Sequence, residues 1–149
     1  MKINKVRNDL KGKLWCGIAA LSAITGNSAQ NSKDCIRLAI DDILKKTGRT
    51  IKGVYTTELL AALDYLCLDH KRIYNTQKRI MTVSRFLHGY KPNPDKLYLL
   101  VVTGHFIVTD GVTIVDSLVP NGCSLFNHPC IDDYVFDCQE ISNSTLDNL

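Results

Sequence analysis

Residues 97–117 read LYLLVVTGHFIVTDGVTIVDS. Three runs of β-branched and large apolar residues are separated by Gly104 and by the pair Asp110-Gly111, the pattern of consecutive antiparallel strands. Asp-Gly is favoured at the corners of a two-residue hairpin loop, because both residues take positive φ at low cost. With that loop the numbers of paired residues have a constant sum, so Thr109 opposite Val112 implies His105 opposite Asp116. Directly opposed residues on one face have Cβ atoms about 4.5 to 5.5 Å apart, close enough for an imidazole to bond a carboxylate. An oriented histidine is therefore expected from local sequence. Asp110 is a second carboxylate nearby, but its turn position directs it to solvent.

The chain before this stretch has helical spacing. Leu14, Ile18, Leu21 and Ile24 recur at helical intervals within residues 14–25, LWCGIAALSAIT, and Gly26-Asn27 forms a stop, so a buried first helix with Cys16 in its opening turn is expected. Ser32 is expected to cap a second helix running to about Lys46, and Thr56 or Thr57 to open a third through ELLAALDYLCL. Cys35 and Cys67 would lie on the buried faces of these helices. A short strand around Arg72 to Tyr74, a Thr82-capped helical turn through Phe86 and Leu87, and an edge strand within Tyr134 to Ile141 complete the pattern. From about residue 142 the chain reads as a polar tail. Helices followed by strands give an α+β class, with helices on one side of an antiparallel sheet.

With 149 residues, 45% hydrophobic and 22% charged, the chain suits one independently folding domain, 1–149. The net charge of +3 is small and dispersed, so no nucleic-acid partner is expected. No apolar run is long enough for a signal peptide or a membrane span, which leads us to expect neither a membrane partner nor export, and a cytoplasmic location. Six cysteines are then expected as reduced thiols.

Cys16 joins this pattern because a thiol in a helix's first turn feels the positive end of the helix dipole and loses its proton more readily. Beside a histidine it becomes a thiolate nucleophile, and its own N–H could stabilise an oxyanion. Asn8, or less favourably Lys13, could supply a side-chain donor. Cys123, His128, Cys130 and Cys138 have the residue types of metal ligands but no standard zinc spacing, and packing of a C-terminal strand accounts for them as well. Trp15, Phe106 and Tyr98 are expected as core or groove wall.

The order of a cysteine on the first helix, a histidine opening a later strand and an aspartate closing the next resembles that of papain-like cysteine peptidases. WCGIAAL is similar to their nucleophile helix, and GHFIVTDGVTIVDS to the histidine–turn–aspartate element of peptidase domains that process bacteriocin leaders. Those domains usually carry a proline where this chain has Ser117, and a glutamine where it has Leu10, which leaves the oxyanion donor open. The resemblance implies a papain-like α+β fold and a cofactor-free Cys16-His105-Asp116 triad acting on a peptide or protein substrate. The alternatives are acyl transfer on the same triad, or a catalytically silent papain-like binding or structural module of a phage-encoded kind.

Overall fold

The computed structural model describes residues 1–46, 48, 51, 53–75 and 80–143. Helix α1 (Cys16–Thr25) begins at the cysteine itself and is buried from Gly17 to Ile24, as a helix apolar on all sides must be. Gly26 ends it at φ 78°, a left-handed conformation that costs glycine little, and donates its N–H to the Ser22 carbonyl at 2.8 Å. The irregular N-terminal segment clamps this end, with the Asn4 side-chain amide donating to the carbonyl of Ala23 at 3.2 Å.

Helix α2 (Ala29–Asp42) starts a turn earlier than Ser32, because Ser28 is the residue that caps it, its hydroxyl accepting the Asn31 N–H at 3.2 Å. Ser32 lies inside the helix and buried. Helix α3 (Thr56–Tyr65) starts at the expected threonine, and the carboxylate of Glu58 reaches back to the Tyr55 N–H at 2.8 Å. It ends before Cys67, which adopts φ 58° and is exposed, so the expectation of a buried thiol there is corrected. Helix α4 (Val83–Tyr90) opens at Thr82, whose hydroxyl accepts the Arg85 N–H at 3.2 Å, and runs longer than the single turn expected.

Among the described residues there are eight strands: β1 (Asp69–Asn75), β2 (Met81–Thr82), β3 (Leu97–Val102), β4 (His105–Thr109), β5 (Thr113–Val115), β6 (Cys123–Ser124), β7 (Tyr134–Val135) and β8 (Asp137–Ser142). The main sheet has the order β1-β8-β3-β4-β5-β6, and β2 pairs with β7 apart from it. All pairings are antiparallel. The expected C-terminal edge strand is therefore an inner one: β8 lies between β1 and β3, which is why Cys138, Gln139 and Ile141 are buried. Of the polar tail, positions 144–149 lie outside the described residues.

The sheet is covered on both faces, not one. Leu97, Leu99, Phe106, Val108 and Val115 pack against α1, α2 and α3. Tyr98, Leu100, Val102, Ile107 and Ile114 pack against Val83, Phe86 and Leu87 of α4. This two-sided burial explains why LYLLVV is a continuous apolar run instead of an alternating one. Among the described residues no helix is long and apolar enough to cross a membrane.

The position of the α2 cap gives a direct check. Ser28→Ala should lower the unfolding free energy by about 1 kcal/mol. Ser32→Ala should leave it unchanged or raise it, since the buried Ser32 hydroxyl has no hydrogen-bond partner among the described residues. Urea denaturation of both variants would decide, and a larger loss at Ser32 would contradict this capping.

Candidate active site

The β4–β5 hairpin supplies two of the site's side chains, though not in the register expected. Thr109 pairs with Ile114 and Val108 with Val115, so the strands are offset by two residues and the turn corners are Gly111 and Val112. Asp110 causes the shift. Its carboxylate accepts the N–H groups of Val112 at 2.9 Å and Thr113 at 2.8 Å, closing an Asx turn instead of pointing to solvent. Gly111 takes φ 97°, the one corner that needs positive φ. An offset of two preserves the face of every side chain, so His105 and Asp116 become diagonal neighbours on one face in place of opposed ones. Their side chains span the distance, with His105 Nε2 2.7 Å from Asp116 Oδ2.

Asp116 stands one residue past the end of β5 and is fully buried. Its Oδ1 accepts the N–H groups of Leu118 at 3.0 Å and Val119 at 2.9 Å. Its Oδ2 takes His105 and also His128, whose Nε2 is 2.7 Å away. Burial alone would raise this carboxyl, but the bonds from His105, His128 and Val119 outweigh it and hold the group below the usual carboxylate range.

Cys16 comes from α1, which packs against β4, and its position at the helix start puts it in one groove with His105. Trp15 at the N-cap has no oxygen with which to cap the first turn, so the N-terminal amides remain open. The Cys16 thiol lines the same groove as His105 and Phe106, and His105 with the Phe106 and Gly17 amides favours its charged form. Burial opposes its ionisation, yet His105 and the two amides prevail and lower its pKa. His105 is raised from 6.5 to about 9, first by Asp116 and then by Cys16, against the effect of burial. Since its Nε2 is held by Asp116, its Nδ1 is the nitrogen left for sulfur.

An open groove of about 330 Å³ contains Cys16 and His105 and is walled by Trp15, Tyr55, Val101 and Phe106. Gly17 lets the wall approach, since a Cβ there would lie 2.6 Å from the Val54 Cβ. A larger cavity of about 440 Å³, lined by Arg85, His88, Phe126 and Asp132, includes neither Cys16 nor His105.

Neither side chain considered as an oxyanion donor lines the groove. Asn8 is exposed and its oxygen accepts the Leu10 N–H at 3.2 Å, while the Lys13 ammonium sits 4.2 Å over the Trp15 ring. Trp15 and Phe106 are groove wall and Tyr98 is wholly buried core, as expected of the three.

Cys123, His128, Cys130 and Cys138 do not converge; among the described residues no group of three or more His, Cys, Asp or Glu is placed to hold a metal ion. His128 has both ring nitrogens engaged, Nε2 with Asp116 and Nδ1 with the Cys130 N–H at 3.0 Å. All six cysteines are unpaired. Burial pushes the Cys130 thiol up to about 12, helped by Asp133, and pushes Cys138 well above the ordinary value. Cys123 is raised by burial and by Asp116, in contrast to Cys16, which is shifted toward the thiolate.

The partnership of His128 with Asp116 was not expected. It joins residues twelve apart through side chains alone, on a segment with no periodicity. The usable signal was Asp116-Ser117, an aspartate at a strand end, which favours an Asx turn and a buried carboxylate needing further donors. The chain matches no protein-family model, and a search of curated proteins finds no significant relative.

The pairing has a pH signature that a Cys16→Ala background isolates from the thiol. His105 is raised in the folded state, so its contribution is complete below 6.5 and is lost as pH rises through the folded value. Asp116 is lowered, so its contribution is present above 3.8 and is lost as pH falls through its folded value. Denaturation of this variant should show greatest stability between about pH 4 and pH 6.5, and adding Asp116→Asn should remove the decline on the alkaline side. A stability that rises above pH 6.5 would contradict the pairing.

Proposed function

We propose that the chain is a papain-like cysteine hydrolase that cleaves a peptide, isopeptide or similar amide bond through an acyl-enzyme intermediate. The observation that carries this reading is that His105, bonded through Nε2 to the buried Asp116 carboxylate, shares one groove with Cys16 and favours its thiolate. The open groove beside the sulfur supports a substrate with an extended chain, peptide or protein, and the groups named need no cofactor.

In this mechanism the Cys16 thiolate attacks the substrate carbonyl, and a carbon–sulfur bond forms as the carbonyl π electrons move to oxygen. The N–H of Cys16, at the open first turn of α1, is the donor available for that oxygen. Collapse breaks the carbon–nitrogen bond, and the His105 imidazolium gives its Nδ1 proton to the leaving amine. Water then attacks the thioester, with His105 taking its proton, and the acid and thiolate are released. Asp116 keeps the proton on Nε2 and offsets the imidazolium charge throughout.

Alkylation of the intact protein with iodoacetamide over a pH series, followed residue by residue by mass spectrometry, tests the nucleophile. Cys16 should react with an apparent pKa well below the ~8.5 of free cysteine. His105→Ala should raise that pKa, and Asp116→Asn should raise it less. Cys67 is the exposed competitor, while Cys35 and Cys138 are buried and should label only after unfolding. Labelling of Cys16 no faster than that of Cys67, or unaltered by His105→Ala, would replace the enzyme with a silent binding module.

A further inference from the structure

We infer that His128 is a positioning residue, a fourth member of the row that holds the Asp116 carboxylate in the orientation through which it holds His105. The inference rests on the proposed hydrolase reading for its purpose, but the bond itself is a matter of geometry. The Cys130 N–H donates to His128 Nδ1 at 3.0 Å, so that nitrogen carries no proton and the ring is the neutral tautomer with its proton on Nε2. That proton is therefore given to Asp116 Oδ2, 2.7 Å away.

The tautomer excludes two other roles. With Nδ1 occupied, His128 has no lone pair to act as a second base, and its side chain is completely buried, out of reach of substrate. What remains is its effect on the carboxylate. A carboxylate offers about four acceptor sites. Those of Asp116 are filled by Leu118, Val119, His105 and His128, and the group is wholly buried. The two backbone donors fix Oδ1 only. Without His128, Oδ2 would keep His105 alone, at the groove's edge, and no donor from the interior would oppose a swing of the carboxylate. An ionised, buried carboxylate that loses one of four donors is also less stable as an anion, and so a weaker partner for an imidazolium. His105 should then lose part of its raised affinity for a proton.

His128 also ties the stretch between β6 and β7 to the row. It follows the 3-10 helix Leu125–Asn127, and its carbonyl accepts the Ile131 N–H at 3.2 Å. A purely structural tether would predict loss of stability on substitution and nothing else, so a readout beyond stability is required.

The test is the titration of His105, followed by ¹⁵N imidazole spectra in the Cys16→Ala background, so that it does not depend on the thiol or on any reaction. His128→Leu should lower the His105 midpoint by about one pH unit, the worth of one hydrogen bond to a charged group. His128→Gln, which retains a donor at the position of Nε2, should restore it. A midpoint unchanged or raised in His128→Leu, or equally lowered by both substitutions, would overturn the inference. Should His128→Leu fail to fold, the spectra of the unsubstituted protein decide. They should show His128 protonated at Nε2 only and slow to exchange, and an Nδ1-protonated or fast-exchanging ring would refute the proposal. Failure of the hydrolase reading would appear separately, as ordinary alkylation of Cys16 beside a His105 still governed by His128.

Discussion

The site depends on a single buried anion. Asp116 has no contact with solvent, and its charge is stable there only because four hydrogen-bond donors converge on it. These four donors come from three different requirements of the fold. Leu118 and Val119 belong to the turn that ends β5, His105 opens β4, and His128 follows the 3-10 helix. Three separate stretches of chain are thereby fixed around one carboxylate, and the imidazole nearest the surface is aimed at the N-terminus of α1. Removing the anion would leave two imidazoles and two amides without their acceptor, which is a larger defect than the loss of one side chain.

The sulfur end is arranged by different physics. Helix α1 is apolar on every side and therefore buried, and its first turn lacks a side-chain cap, so the open amides fall to whatever lies at that position. Cys16 is that residue. Gly17 behind it permits a close approach of Val54, bringing the 53–56 segment beside the sulfur as groove wall. Burial and a neighbouring cation act on the thiol in opposite directions, and His105 with two amides tips the balance.

Much of this was legible in the sequence where the signal is local. The hairpin placed His105 and Asp116 on one face, and the turn signals placed Cys16 at the start of α1. The register itself slipped by two because Asp110 uses its side chain on the turn amides, a preference that competes with the Asp-Gly corner. Faces survive an even slip, so the contact survived the error. Ser28 and Ser32 are equally good caps on paper, and only packing distinguishes them. The inner place of β8 could not be read because pairing between β8 and β3 spans some forty residues, and a strand's neighbours are not written in its own periodicity. His128 looked like a metal-ligand type, since nothing local announces that its acceptor is a carboxylate twelve residues earlier. Asn8 and Lys13 were suggested by chain proximity to Cys16, and in the structure both are engaged elsewhere.

The proposed hydrolase would turn over covalently instead of merely presenting a reactive thiol. Exposure to the activated ester p-nitrophenyl acetate, with acid quenching and mass analysis of each cysteine, measures that directly. The expected result is a thioester that forms on Cys16 ahead of Cys67 and disappears after the ester is removed, with release of acetate, while in His105→Ala the Cys16 adduct forms slowly and persists. An adduct distributed among the thiols by exposure alone, or one on Cys16 that never clears, would contradict the proposed turnover.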